Sequence, residues 1–273
     1  MPSAYTHYRF GKEVLSCLPS RFRKTIEQYM DLYHIGLHGP DILFYYHPLT
    51  SNPINKTGYD MHDEYADQFF KETSELWKTS ANQEALKAYL YGFVCHFTLD
   101  STCHPYIEKI IQVTGLSHAE IETELDRHFM VADQIDPAVY IPIRHIHATD
   151  FNSRVIAPCL DPISAQEVKE ALKGMITCHK LMHAPRSFKR NILYTGLRLT
   201  GNYDSMQGLI MKPKSNDLCT SYCRILNSHY LEAVTTAASL IQQYAGVLEN
   251  GSALCSRFHM TFGAGENWEE LYI

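Results

Sequence analysis

The stretch QEALKAYLYGFVCHFTLDSTCH, residues 83–104, decides the fold of this chain. Its apolar residues recur every three or four positions, which predicts one face of an α-helix. They are Leu86, Tyr89, Leu90, Phe93, Val94 and Phe97. His96, Asp100 and His104 are four residues apart, so each is rotated by only about 40° from the one before. This row overlaps the edge of the apolar face, so two imidazoles and a carboxylate point inward, where they need hydrogen bonds or a metal.

A second row of the same kind follows on the next predicted helix. His118 and Glu122 are four residues apart, and Ser117 with Glu120 forms a capping-box pattern that opens the helix. For either row alone, an internal hydrogen bond between a histidine and a carboxylate explains the pattern. Two inward-facing rows close together in the chain favour a metal centre, because zinc accepts mixed imidazole and carboxylate ligands.

The composition limits the classes of protein that this chain can belong to. Among its 273 residues are 15 histidines and 14 glycines, and the formal net charge is −6. A mildly acidic chain lacks the basic surface that duplex nucleic acid requires. No apolar run is long enough to predict a transmembrane segment, and Met1–Phe10 is not followed by the apolar core of a signal peptide, so we expect a cytoplasmic location. The eight scattered cysteines are expected to be reduced, many of them in the core.

The rest of the pattern predicts an all-α fold, with residues 1–273 forming a single multi-helix domain. Helices are predicted over 21–35, 61–78, 83–104, 118–131, 164–184 and 218–248. Loops are predicted over 47–60, 132–162 and 200–217. Strand signals are sparse, and the best short candidate, Val139 to Ile143, contains a proline. Pro105 marks either the end of the third helix or a kink in it.

The run H-x3-D-x3-H at 96–104, followed by H-x3-E at 118–122, resembles the zinc-dependent phospholipase C family of bacteria. The fungal single-strand-specific zinc nucleases share that fold and a similar ligand series. In the family, a histidine near the N-terminus, an aspartate and another histidine precede these rows. Matching residues here are His7 in Thr6-His7-Tyr8, Asp41 in Gly39-Pro40-Asp41-Ile42, and His62 in Asp60-Met61-His62-Asp63. The motifs cover roughly residues 1–130, and beyond them only the helical character and the length agree.

The resemblance implies two or three zinc ions. The first would be held by Asp41, His62, His96 and Asp100. The second would be held by His104, His118 and Glu122, with open positions for water and phosphate. A third would be held by His7, Asp100 and the amine and carbonyl of the chain's N-terminus. Family members usually begin with a tryptophan that ligates metal, whereas this sequence begins Met1-Pro2, so the third ion depends on the removal of Met1.

The activity implied is hydrolysis of a phosphodiester by a zinc-activated water. The form expected is phospholipase C-type cleavage of a phospholipid to diacylglycerol and a phosphorylated headgroup. Two metals about 3.5–4 Å apart can clamp a phosphate and stabilise both the attacking and the leaving oxygen. Asp41 is the residue that the family uses to orient or deprotonate the water. Carboxylate chemistry alone leaves it equally open that Asp41 is only a ligand.

The substrate stays open between several classes. A set of aromatic residues could line an apolar wall beside the metals, stack on a nucleobase, or pack between helices; it comprises Phe44, Tyr45, Tyr46 and Tyr65. The alternatives to a phospholipase are a single-strand nuclease, a small phosphodiesterase, and a non-catalytic helical protein stabilised by zinc. The partners expected are a phospholipid or another phosphodiester and, transiently, a membrane surface, but not duplex nucleic acid.

Other residue pairs have the spacing of metal ligands. His34 and His38 flank a predicted helix end, where cationic side chains are favourable. His179 and His183 lie four apart on the predicted helix 164–184. A structural zinc site of three cysteines and a histidine could be drawn from Cys219, Cys223, Cys255 and His259. Its spacing differs from that of zinc fingers, so buried cysteines are the favoured interpretation.

Overall fold

The computed structural model describes residues 4–273, apart from the side chain of Ser205. Within this range the chain is helical and forms no strand, only an isolated antiparallel bridge between Tyr65 and Thr261. The all-α prediction is confirmed. The short strand candidate from Val139 to Ile143 forms turns, as the predicted loop over 132–162 implies, and the backbone N–H groups of Val139 and Tyr140 both donate to the carbonyl of Asp136.

Twelve α-helices are numbered in chain order over the described residues. They are α1 Ala4–Cys17, α2 Ser20–Gln28, α3 Met30–Gly36, α4 Pro53–Asp63, α5 Ala66–Thr79, α6 Gln83–Thr114, α7 His118–Ala132, α8 Asp150–Ile156, α9 Ala165–Met182, α10 Ser187–Leu199, α11 Tyr203–Met206 and α12 Asp217–Asn250. The 3-10 helices are Gly39–Tyr45, Ala157–Leu160, Gln207–Leu209, Ser256–Phe258 and Trp268–Glu270.

Helix α6 runs through the main core and packs against α1, α3 and α12. Its contact with α3 is a backbone contact, made possible by two glycines that face each other. A Cβ atom added to Gly36 would lie 2.2 Å from the carbonyl oxygen of Tyr89, and one added to Gly92 would lie 2.2 Å from that of Tyr33. Because α3 is held this closely to α6, the segment that follows α3 is brought against the face of α6 that carries the His96 row.

Two predicted helices are each divided in the structure. Residues 21–35 form α2 and α3, because Tyr29, with φ −127° and ψ 44°, interrupts the helical backbone. The helix predicted over 61–78 divides into α4 and α5 at Glu64 and Tyr65. Much of the loop predicted over 47–60 is therefore helical, since the Asn52 side chain accepts the N–H of Asn55 and starts α4 before Pro53.

Other predictions of helices were correct or incomplete. Helix α6 continues through Pro105 to Thr114 and ends at Gly115, which has φ +70°. Helices α7, α9 and α12 were predicted within about two residues at each end, which is the usual uncertainty of helix boundaries. Helices α1, α8 and α10 lie where no helix was predicted, and α8 occupies part of the loop predicted over 132–162. The segment 200–217 is mostly irregular, apart from the short α11 and the 3-10 helix Gln207–Leu209.

Most of the buried apolar side chains form one cluster around α6. In a second, small cluster, Leu197 of α10 packs against Ala184 and Ile210. All eight cysteines are free of disulfide bonds, and Cys219 and Cys223 are buried, as expected. Among the described residues, no helix has the length and apolar character needed to span a bilayer. Whether residues 1–273 behave as one domain stays a prediction.

Candidate metal centre

Seven of the eight predicted metal ligands converge in two groups. The inner cluster consists of Asp41, His62, His96 and Asp100. The outer cluster consists of His104, His118 and Glu122. In each group, one ligand atom per residue lies within 4.8 Å of every other. The side chains come from α4, α6, α7 and the 3-10 helix Gly39–Tyr45, so four separate parts of the fold meet here.

Asp100 links the two clusters. Its Oδ2 lies 3.1 Å from Nε2 of His96, and 3.8 Å from Nε2 of His104. The same oxygen lies 3.9 Å from Nε2 of His62. Its other oxygen, Oδ1, lies 3.2 Å from Nε2 of His7. The spacing of four residues along α6 therefore places the His96 row on one buried face, as predicted, and makes Asp100 the residue common to the whole centre.

Asp41 reaches the centre because of a tight turn at Gly39. This glycine has φ +46°, and a Cβ atom there would lie 2.1 Å from Cδ2 of His96. Only glycine fits this position, because any other residue would be strained at this positive φ and its side chain would displace the imidazole of His96. The turn leads into the 3-10 helix and places Oδ1 of Asp41 3.1 Å from Nε2 of His62.

Three imidazoles are oriented by partners on their outer nitrogen. Nδ1 of His62 lies 2.7 Å from the carbonyl oxygen of Gly58, and Nδ1 of His104 lies 2.7 Å from that of Phe262. Nδ1 of His118 lies 3.4 Å from Oε1 of Glu108. An N–H on each Nδ1 that donates to these oxygens leaves Nε2 with its lone pair directed into the centre, which is the tautomer that a metal requires.

These orienting groups were not predicted from the sequence. Glu108 could have been found, because it continues the row of α6 four residues beyond His104. The carbonyl of Phe262 could not, because a backbone oxygen carries no sequence signal and its residue lies far along the chain.

Several buried donor atoms in the centre have no hydrogen-bond partner within the described part of the chain. They are Oδ1 of Asp41, Nε2 of His96, Nε2 of His118 and Oε2 of Glu122. Some of them lie close to one another, but the geometry of these approaches is not that of a hydrogen bond. Each such atom costs about 1–3 kcal/mol when it is left unsatisfied. Nitrogen and oxygen donors that face a common point, rather than each other, fit a divalent cation, and their chemistry fits zinc.

The electrostatics of the centre agree with this fit. Burial alone would raise the pKa of Asp100, but His96, His104 and His7 hold it well below its usual value. Burial likewise opposes ionisation of Glu122, and His118 and His104 outweigh it, so the pKa of Glu122 is lowered. The centre therefore presents ionised carboxylates in a buried place, which a bound cation would neutralise.

Burial controls the pKa of His96, whereas nearby carboxylates control the pKa of His62. Burial lowers the pKa of His96 to about 4, so its ring is neutral at pH 7. Burial would lower the pKa of His62 as well, but its contacts with Asp41 and Asp100 raise it to about 9. An imidazole with a raised pKa must lose its proton when it binds a metal, so metal binding would release protons.

The eighth predicted ligand, His7, lies beside the centre but in neither cluster. Its ring stacks on that of His96 with the centroids 4.8 Å apart, and its Nδ1 is buried without a hydrogen-bond partner among the described residues. Met1 and Pro2, which were predicted to complete a third zinc site, lie outside the described residues. The third ion therefore stays a prediction.

Two cavities open on the outer cluster, and both are bordered by Phe44, Tyr59 and His118. The first, of about 580 Å³, is largely apolar and is formed with α9, α11 and the segments around them. The second, of about 860 Å³, also contains His62 and His104 and is closed by the segment 259–268. A ligand can therefore approach the outer cluster from two sides.

The predicted aromatic set is only partly at the centre. The ring of Phe44 lies 5.4 Å from that of His62, and Tyr65 borders the larger cavity while stacking on His259. The hydroxyl of Tyr45 lies 3.1 Å from Nε2 of His179. Tyr46 packs on His47, with the ring centroids 4.4 Å apart.

The other pairs with ligand spacing form no third converging group among residues 4–273. Nε2 of His38, just after α3, lies 2.8 Å from Nε2 of His145. Nε2 of His183 lies 2.9 Å from the carbonyl oxygen of Ala138. Cys219 and Cys223 are buried on α12, whereas His259 stacks on Tyr65. The four-residue zinc site drawn from the sequence is therefore not formed.

Comparison with known proteins gives one match. A family model described as zinc dependent phospholipase C matches residues 6–173, which include all eight predicted ligands. Searches of curated proteins and of solved structures found no significant match. The segment that follows residue 173, with the Phe262 carbonyl and much of the lining of both cavities, lies beyond the matched region. On the match over more than half of its length, the chain belongs to the zinc-dependent phospholipase C family.

Proposed function

We propose that this chain is a zinc-dependent phosphodiester hydrolase that cleaves a phospholipid to diacylglycerol and a phosphorylated headgroup. The observation that carries the proposal is the convergence of buried, unsatisfied donor atoms in two neighbouring clusters, which Asp100 of the inner cluster links through its approach to His104. Zinc bound there would supply a Lewis acid that lowers the pKa of water and neutralises phosphate charge. The family membership supports the same class of reaction.

The chain's own residues would bind and orient the substrate. In the inner cluster only His62 borders a cavity, whereas His118 of the outer cluster borders both, so we assign the phosphate to the outer cluster. A diester carries two substituents, and each would extend into one cavity. The smaller cavity is lined by Pro142, Met182, Met206 and Leu209, which favours an apolar substituent over a nucleobase.

Asp41 is proposed to orient the attacking water in addition to holding zinc. Its carboxylate is buried, and Oδ1 lies 3.1 Å from Nε2 of His62 without the geometry of a hydrogen bond, so this oxygen is available to a water at the centre. Asp41→Asn separates the two roles. We expect the variant to keep most of its zinc and to lose about a hundredfold or more in turnover, in line with the size of general-base effects. If the variant loses zinc and activity in the same proportion, Asp41 acts only as a metal ligand.

The test of the proposed function counts metal and product together. Elemental analysis of the untagged protein should give two or three zinc ions per chain. The loaded protein should release phosphorylated headgroup from phosphatidylcholine or phosphatidylethanolamine, and a chelator should stop the release. If the protein cleaves single-stranded nucleic acid and leaves the lipids uncleaved, the nuclease alternative is favoured. Full zinc loading without turnover of lipids, model diesters or single strands would make the chain a non-catalytic zinc protein.

A further inference from the structure

The segment from Ala171 to Tyr203 differs in charge from the rest of the chain. It contains six basic residues and no aspartate or glutamate, although the whole chain has a net charge of −6. The six are Lys173, Lys180, Arg186, Lys189, Arg190 and Arg198. None of them forms an ion pair within the part of the chain that the structure describes. Lys189 and Arg190 donate to backbone carbonyls at the end of α9 and just after it. The charges of the other four are therefore the ones available to an external anion or anionic surface.

The same segment exposes an apolar stripe on α10. Phe188, Ile192 and Leu199 are 75%, 55% and 84% exposed. They lie at positions i, i+4 and i+11 of the helix, which places them within about 40° of one another around its axis. The opposite face carries Leu197, which packs into the small cluster with Ala184 and Ile210. None of these three side chains belongs to a buried apolar cluster of the described residues, so the stripe is available to a partner.

Basic side chains flank this stripe on both sides. Arg198, which is exposed, lies about 80° from Phe188 on one side of the stripe. Lys189 lies about 100° away on the other side, where its ammonium donates to the carbonyls of Lys180 and His183. Lys180 and Leu181, at the end of α9, are both exposed and extend the surface. The exposed residues of this patch form a docking surface, which consists of Lys180, Leu181, Arg186, Phe188, Ile192, Arg198 and Leu199.

We infer that the docking surface binds the chain to anionic phospholipid bilayers. An apolar stripe between cations is the arrangement by which a helix lies in a membrane interface, with its apolar face among the acyl chains and its cations among the headgroups. Single-stranded nucleic acid would use the charges but leave the apolar stripe in water. A second copy of the chain would cover the stripe but bring like charges together across a twofold axis.

The position of the surface supports this partner. Met182 and His183, which directly follow Leu181, border the smaller cavity, as does Met206 on α11. That cavity extends to His118 of the outer cluster. A bilayer bound at the docking surface would therefore lie next to the apolar entrance of the candidate metal centre, although the binding itself requires no metal.

The test is sedimentation of the full zinc-loaded chain with vesicles. Wild type should sediment with phosphatidylcholine vesicles that contain phosphatidylglycerol, and salt should weaken the binding. Each basic residue near the surface contributes about a fivefold effect, so Lys180→Gln with Arg186→Gln should weaken binding by more than tenfold. Phe188→Ser, Ile192→Ser and Leu199→Ser together should weaken it by about tenfold or more. Lipid composition after sedimentation shows whether the vesicles are intact.

A matched control removes exposed apolar side chains elsewhere. Val131 on α7 and Leu231 on α12 are 61% and 55% exposed, and Val131→Ser with Leu231→Ser should bind like wild type. Failure of wild type to bind anionic vesicles at low salt overturns the inference. It is also overturned if the triple serine variant binds the vesicles as tightly as wild type does, or if wild type binds a single-stranded oligonucleotide more tightly than the vesicles. Turnover of a soluble diester is measured separately, so a failed docking surface and a failed hydrolase are distinguishable.

Discussion

The inner and outer clusters have similar ligands but different surroundings. The inner cluster has four ligands, and His96 and Asp100 are almost completely buried. The outer cluster has three, and the side chain of His118 is 32% exposed and borders both cavities. Closed sites with four protein ligands are typical of structural zinc, and open sites with three are typical of catalytic zinc. One set of helices therefore provides both a largely closed group of ligands and a group that substrate can reach.

The largest effect is expected where the two clusters meet. Asp100→Asn replaces the carboxylate near four imidazoles by a neutral amide, which cannot hold two cations. We expect turnover to fall by about a thousandfold or more and the zinc content to fall in both clusters. Elemental analysis and headgroup release measure these losses. Asp31→Asn changes another aspartate paired with a histidine, at an exposed position, and should leave both unchanged. Full zinc occupancy in Asp100→Asn would show that Asp100 is not shared.

A smaller but more selective effect is expected at Glu122. Glu122→Gln removes a charged ligand from the outer cluster and touches nothing in the inner one. The protein should lose one zinc ion, and turnover should fall by about a hundredfold or more, because the phosphate is assigned to the outer cluster. Loss of every ion would mean that the clusters form one inseparable site. If turnover is unchanged although one ion is missing, the reaction takes place at the inner cluster.

A weaker effect is expected from the partner that orients His118. Glu108→Gln keeps a carbonyl oxygen near Nδ1 but removes its charge, and groups of this kind change metal affinity by about 10–100-fold. The side chain of Glu108 is partly exposed, so we expect the lower end of this range. Competition with a chromogenic chelator should show the loss for one ion only. Glu75→Gln, on the exposed face of α5, provides the control, and equal weakening of both ions would contradict the assignment.

The smallest effect is expected outside both clusters, at His34. Burial lowers the pKa of His34 to about 4, below its ordinary value of 6.5. The unfolded chain therefore binds a proton that the folded chain does not, and stability is lost as the pH falls from 6.5 toward 4. The loss is worth about 1–3 kcal/mol. Denaturant unfolding at saturating zinc should be less pH-dependent in His34→Gln than in wild type or in His147→Gln. Equal pH dependence in all three would exclude His34 as the cause.

Much of the centre was predictable because helical periodicity fixes direction. Once His96, Asp100 and His104 lie on one helix, their shared face follows from the geometry of the backbone. His118 and Glu122 follow in the same way, and Ser117 marks the start of their helix. Asp41, His62 and His7 came only from the resemblance to a family, because single residues in irregular or short segments have no periodic signal.

The other features of the fold could not be predicted, because they depend on tertiary contacts that leave no local pattern in the sequence. Tyr29 and Glu64 interrupt helices whose apolar spacing continues across the break. Pro105 ends no helix, because α6 is packed on several sides and the surrounding helices compensate for one missing hydrogen bond. The close approach at Gly36 and Gly92 and the turn at Gly39 depend on backbones that meet only in the folded chain.

The hydrogen bond between His104 and the carbonyl of Phe262 has a consequence for the order in which the centre is completed. All eight predicted ligands leave the ribosome well before Phe262 does. A nascent chain can gather every donor atom while the ring of His104 still lacks the acceptor that fixes its tautomer. Full metal affinity of the outer cluster would therefore arrive late in synthesis, and an early stop codon after the matched region would yield a chain with every candidate ligand and a defective outer cluster.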